Sequence, residues 1–336
     1  MKHLNTYENK SFNMKPMSSY KNGSFNSKSL TSYITEYIIK NKLDKPIDSE
    51  DHYKYFPETK EELIDNIKEL LDENETDLNC IDTSKITDMS RLFESYKNIN
   101  FDISRWNVSN VKDMNGMFFG CKLFDCDLSD WNVSNVENMC IMFDECRNFT
   151  GKGLENWDVS KVTNMLGLFF NCKKFDCDLS KWDVSNVENM ADIFSGCKKF
   201  TGKGLENWNV SNVTNMAGMF NGCVNFNCDI SKWNVSNVTS MMSTFSNCWL
   251  FNCDLSKWNV SKVKDMESMF AYCYDFTGKG LENWNVSNII NMNYMFFNCK
   301  VLNCDLNNWN VSKVINTFDT FKKCLLLKNT PRWYKK

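Results

Sequence analysis

The chain has 336 residues, 42% hydrophobic and 14% aromatic, and Lys+Arg 39 against Asp+Glu 42 leaves a formal charge of -3. That much apolar material excludes wholesale disorder. The charge balance argues against nucleic acid, whose phosphates draw a basic surface, and no basic arm or patch stands out along the chain.

Residues 1–28, rich in Asn, Ser and Lys, read as a disordered polar segment without the apolar run of a signal peptide. Residues 29–56 hold a weak helix, SLTSYITEYIIKNKL (29–43), and a linker. Residues 57–77 hold a stronger helix, PETKEELIDNIKELLDEN (57–74). There Thr59 and Glu62 form a capping box, and Leu63, Ile67, Leu70 and Leu71 share one stripe. This is the expected N-terminal cap, because a stack of repeats exposes an apolar face at each end.

From 78 to 327 the chain repeats itself. Trp106, Trp131, Trp157, Trp182, Trp208, Trp233, Trp258, Trp284 and Trp309 stand 25 or 26 residues apart, and Ile81 opens a weaker first copy, which makes ten coils. With the Trp as position zero, +3 is always Ser, +5 Val or Ile, and +12 Phe; +15 is Cys in nine coils and +8 is Met in nine. Identities at a fixed period describe a stack in which each position meets its own copy. In DLSKWNVSKV (254–263), Trp258 and Val260 alternate with polar residues, which predicts a short strand with one buried face. In KDMESMFAYC, Asp265 is placed to cap a helical turn burying Met266, Met269, Phe270 and Cys273. Three returns are one residue longer and read TGKGLENW, at 150–157, 201–208 and 277–284; their glycines allow a bulged turn. Residues 328–336, with Pro331 breaking the rhythm and Trp333 placed 24 after Trp309, form the expected C-terminal cap.

The fold class expected is a leucine-rich-repeat-like solenoid: about ten coils, short parallel strands on one face, short helical turns opposite, and a helical N-terminal cap. The pattern W-[ND]-V-S-N-V-x-N-M-x-x-M-F-x-x-C-x-x-F resembles the BspA-like leucine-rich-repeat family, in the branch first noted in mycoplasma surface proteins as a domain of unknown function. The resemblance covers roughly 57–336. It implies a right-handed solenoid used for binding, and some members are similar to cell-surface adhesins.

Chemistry finds little footing. The histidines, His3 and His52, lie outside the array, so the commonest general base is missing from it. No Walker-type phosphate loop, nucleophile elbow or HExxH helix occurs. TGKG faintly resembles a phosphate loop, but its threefold recurrence at an insertion argues for turn chemistry. Carboxylates such as Glu206 and Asp229 are scattered as any repeat scatters them. Sixteen cysteines suit disulfides only in an oxidising compartment. The +15 cysteines fall beside Met and Phe and read as small core hydrophobes. Asn-Val-Ser recurs seven times as a formal sequon, but it reads as the polar face of each strand, since Asp158 and Asp183 replace Asn without other change. No enzyme activity, cofactor or metal is expected.

What remains is the outward polar row at -1, +1 and +3. Arg105, Asn107, Asp130, Asn132, Lys181, Asp183, Lys232, Asn234, Lys257 and Asn259 are the candidate partner-binding residues. The -1 position varies most, as a recognition surface requires. The expectation is a monomeric protein-interaction scaffold that binds a protein partner and neither nucleic acid nor a membrane interior. It would be cytoplasmic or particle-associated, the alternative being a surface adhesin or antigen exported by a less obvious route.

Overall fold

The computed structural model describes residues 53–335. The chain separates into a unit of Met1–Asp51 and a unit of His52–Lys336, and the described residues all lie in the second. The segment 1–28 and the helix expected at 29–43 fall outside them.

Helix α1 spans Lys60–Asp72. The Glu62 N–H donates to Thr59 Oγ1 at 3.2 Å, while Glu62 Oε2 accepts from the Thr59 N–H at 3.3 Å. That is the capping box read from the sequence, and it satisfies two otherwise orphaned donors. The helix ends as Asn74 turns left-handed at φ 63°. The Glu75 N–H then reaches the Leu70 carbonyl at 2.9 Å, and the Asn74 N–H reaches Leu71 at 3.1 Å, a Schellman close. Leu63, Ile67, Leu70 and Leu71 are buried and join the same apolar cluster as the first coil. Lys60 ties the helix start to that coil through Asp88 (3.1 Å) and Ser90 Oγ (2.6 Å).

Beyond α1 the coils are joined at +7. Parallel bridges run Asp88–Asp113–Asn138–Asn164–Asn189–Asn215–Ser240–Asp265–Asn291–Asn316, one residue per coil. From +8 onward every second N–H points at the next coil. In the coil of Trp208, Met216, Gly218, Phe220 and Gly222 donate to the carbonyls of Ser240, Met242, Thr244 and Ser246 at 3.1, 2.8, 2.9 and 2.8 Å. Turns close in between: Met219 donates to Met216, Asn221 to Gly218 and Cys223 to Phe220, at 3.2, 2.9 and 2.9 Å. Positions +10 and +14 carry positive φ, 63° at Gly218 and 77° at Gly222, as the third residue of a type II turn requires.

The structure corrects the expected division of labour between the faces. The paired face is the +7 to +14 segment, and among the described residues no bridge forms at Trp-x-Val. Trp258 and Val260 do alternate inward, 4% and 1% exposed, but their segment is linked to its neighbours mainly by side chains. The helical turn expected at +8 to +15 is a run of β-turns instead. Met266, Met269, Phe270 and Cys273 are buried as the helical spacing suggested, yet left-handed residues at Ser268 and Tyr272 break any helix between them. Asp265 caps no helix; its Oδ1 accepts the Glu267 N–H at 2.9 Å in an Asx turn. Spacing alone does not distinguish the two, because consecutive turns with a three- to four-residue repeat bury the same positions as a helix. The only other helical pieces among the described residues are short 3-10 turns, Leu154–Asn156 and Leu281–Asn283, in two of the wide returns.

The core is built from columns. Phe at +12 and +18 of one coil stack at 4.0–4.2 Å, as in Phe220–Phe226 and Phe245–Phe251, and +12 rings of neighbouring coils lie 5.7 Å apart in Phe194–Phe220–Phe245. Each fully buried Phe contributes about 1.5–3 kcal/mol. The Trp column is held by a second device: every indole Nε1–H donates to the -3 carbonyl of the coil before it, from Trp106 to Leu78 (2.9 Å) through Trp208 to Leu179 (3.1 Å) to Trp309 and Leu281 (2.8 Å). Trp333 continues the ladder, donating to Leu306 at 2.8 Å and stacking on Trp309 at 6.2 Å.

Candidate interaction surface

All ten residues singled out from the sequence are exposed, because -1 and +1 flank a buried Trp and precede a buried Val. Turns rather than a sheet present them. Each +1 side chain accepts the +3 N–H: Asn107 from Ser109 (3.1 Å), Asn132 from Ser134 (3.1 Å), Asp183 from Ser185 (3.0 Å), Asn234 from Ser236 (3.2 Å) and Asn259 from Ser261 (3.1 Å). The Asx turn fixes each side chain and leaves the second oxygen or the amide outward. It also accounts for Ser at +3, whose carbonyl is used as well: Asn at +4 of the next coil donates to it, as Asn135 does to Ser109 at 2.8 Å. The -1 residues are less uniform. The Arg105 N–H donates to Asn79 Oδ1 at 2.8 Å, and Lys181 Nζ to Asn156 Oδ1 at 2.7 Å. Asp130, Lys232 and Lys257 stand exposed.

The cysteines have a structural task. The nine at +15 aim Sγ at the +12 carbonyl of the preceding coil, Cys197 at Phe169 (3.0 Å) and Cys248 at Phe220 (3.0 Å) among them. Burial pushes the Cys197 and Cys248 thiols well above their ordinary range, so the thiolate that nucleophilic or metal chemistry needs is disfavoured. All sixteen cysteines are free thiols.

The TGKG returns are occupied too. Lys152, Lys203 and Lys279 pair with Asp127, Asp178 and Asp254 of the coil before at 2.8, 3.0 and 2.9 Å. Hydrogen bonds from Lys152 and Ser129 hold Asp127 down at about 2; at Asp178 the Ser180 N–H and hydroxyl lead, with Lys203, to the same effect. The second glycine of each return lies against backbone: a Cβ on Gly204 would stand 2.3 Å from the Ser180 nitrogen. Among the described residues no group of three or more His, Cys, Asp or Glu is arranged to hold a metal ion, and no helix is long and apolar enough to cross a membrane.

One surface escaped the reading of the chain as a string. At +16 the first five coils carry Lys97, Lys122, Arg147, Lys173 and Lys198, all exposed, with Lys174 and Lys199 beside the last two. These cations are 25 or 26 residues apart and form no run, so composition and charge patterning pass over them. Aligning the coils at the Trp brings them into one column.

No curated protein matches the chain. Solved structures it is similar to include a leucine rich cell surface protein from Faecalibacterium prausnitzii A2-165, at 13% identity over 75% of this chain and 84% of that one, with a TM-score of 0.29. The TLR13–ssRNA13 complex matches at 10% identity over 80% of this chain and 48% of that one, with a TM-score of 0.24. Scores this low carry no argument about fold or function. The repeat itself is decisive: the family described as "Mycoplasma protein of unknown function, DUF285" matches residues 61–153, 142–248, 196–282 and 239–334, and the chain belongs to that family.

Proposed function

We propose that this chain is a BspA-like leucine-rich-repeat solenoid that works as a non-enzymatic scaffold, holding a protein partner on its polar row. It acts as a monomer, in the cytoplasm or in a particle assembled there. The observation that carries the reading is the Asx-turn ladder, which holds the +1 side chains of successive coils in one repeated posture beside -1 residues that differ from coil to coil. Pre-ordered side chains lose little entropy on binding, which favours a recognition surface. The buried thiols and their raised pKa values support a non-catalytic role.

The test is a pull-down from native lysate with the wild-type chain beside a variant carrying Lys181→Glu, Lys232→Glu and Lys257→Glu, both checked for equal cooperative melting. A partner held by the wild type and lost by the folded variant is the expected outcome. A partner held equally by both overturns the polar row as the contact surface.

A further inference from the structure

The +16 column is divided into two blocks. Its N-terminal half is the five cations Lys97, Lys122, Arg147, Lys173 and Lys198; its next three positions are Val224, Trp249 and Tyr274. The register is physical as well as numerical, since the Lys122 N–H donates to the Lys97 carbonyl at 3.0 Å and the Asp275 N–H to the Trp249 carbonyl at 3.1 Å. Trp249 differs from the tryptophans of the zero column: it is 45% exposed, whereas those of coils two to ten are 2–5% exposed. It lies against Tyr274 at 5.9 Å, Lys300 sits over the Tyr274 ring at 4.3 Å, and Leu250, 46% exposed, adjoins it.

The cations are largely uncommitted. Arg147 pairs with Glu145 at 2.6 Å and Lys97 lies 5.8 Å over the Phe119 ring, but Lys122, Lys173 and Lys198 have no ion pair among the described residues. At the spacing of about 5 Å per course that parallel pairing imposes, the five span about 20 Å. Like charges at that spacing repel, which no packing role requires, and a cluster of aromatic surface next to them is the composition of a contact centre.

We infer that this strip binds a single extended peptide in which an acidic block is followed by an apolar, aromatic block. Charge complementarity selects the acidic block for the cations, and exposed Trp249 and Leu250 beside half-buried Tyr274 select the apolar one. The block pattern also discriminates against nucleic acid. A nucleic acid carries one charge per residue throughout and would lay phosphates across Val224, Trp249 and Leu250. The strip is only one or two residues wide, which suits one extended chain. The inference rests on the scaffold reading but uses a different surface from the polar row.

The probe is a fluorescein-labelled peptide with a run of glutamates followed by a Leu-Trp-Phe-Leu block, titrated by anisotropy against the full chain at low and high salt. The controls are a scrambled peptide of identical composition and a labelled oligothymidylate. The block peptide should bind more tightly than both controls. Lys122→Glu, Lys173→Glu and Lys198→Glu together should weaken it by about tenfold or more and flatten its salt dependence. Trp249→Ala should weaken it about fivefold without changing the salt dependence. Because all four positions are exposed, both variants should fold, which a melt confirms. Equal affinity for block and scrambled peptides, tighter binding of the oligothymidylate, or indifference to the lysine reversals overturns the inference. Failure here with a partner still lost from the polar-row variant leaves the scaffold reading standing; binding here with no effect of the polar row would leave the strip as the working surface.

Discussion

Each tryptophan of the zero column does two things that a phenylalanine could not combine, filling the core and supplying a donor to a buried carbonyl one coil away. Trp208 stacks between Trp182 and Trp233 at 6.4 and 6.5 Å and donates to the Leu179 carbonyl at 3.1 Å. Trp208→Phe removes the donor, orphans that carbonyl and leaves a small void. It should cost about 2–4 kcal/mol, read as a lower urea midpoint at unchanged m-value. Asp144 is a residue the fold tolerates rather than uses. Its Oδ1 is buried without a hydrogen-bond partner, and burial, then Glu145 and Asp192, push its carboxyl up to about 7. An unfolded aspartate ionises near pH 3.9. The folded carboxyl therefore stays protonated where the unfolded one has lost its proton, and stability present below about pH 4 is lost as the pH rises toward 7. Asp144→Asn removes that loss: the variant should melt a few degrees higher than wild type at pH 8 and match it at pH 4. A gain of equal size at both pH values would show that ionisation is not the cause.

At the scale of the coil, the wide returns and the run of turns use glycine for different reasons. Gly204 combines φ 90° with backbone contact, its Cβ falling 2.3 Å from the Ser180 nitrogen; Gly222 has φ 77° but nothing nearer than 3.6 Å. Gly222→Ala should therefore cost only the left-handed strain, about 1–2 kcal/mol. Gly204→Ala must also push two coils apart and should cost at least about 3 kcal/mol. Chemical denaturation of the two single variants separates the cases, and equal losses would show that the coils can shift to make room. The same scale explains the recurrence of Asn and Asp at +7. They stand where the bridge is made, and their side chains fold back on the +9 N–H to start the run of turns, as Asn215 does on Ala217 at 3.0 Å.

Across the whole stack, coils touch chiefly the coils beside them, so stability accumulates through neighbouring interfaces and the first coil depends on what covers it. Helix α1 supplies that cover with Leu63 and Ile67, both fully buried. Ile67→Asp places an unpaired charge at that interface, at a cost of about 4 kcal/mol. Hydrogen exchange should show protection lost first in the coils of Ile81 and Trp106, while those of Trp258 and Trp284 retain theirs. Uniform loss along the chain would mean that the array unfolds as one cooperative unit.

The sequence by itself determined the period, the ten coils, the capping box of α1 and the identity of every core column, because a residue type fixed at one register position can only reflect a neighbour of its own kind. It also determined that the ten polar-row positions face solvent, since they alternate with buried Trp and Val. The tertiary structure decided which face is paired. Met, Phe and Cys at i, i+3, i+4 and i+7 are buried alike by a helical turn and by consecutive β-turns; the choice fell to inter-coil N–H···O=C bonds and to left-handed residues at +10 and +14, which Gly116, Gly218 and Gly222 signal in some coils but Ile141, Ser268 and Tyr272 do not in others. The tertiary structure also assembled the +16 strip, because charges 25 residues apart become neighbours only when the coils are stacked.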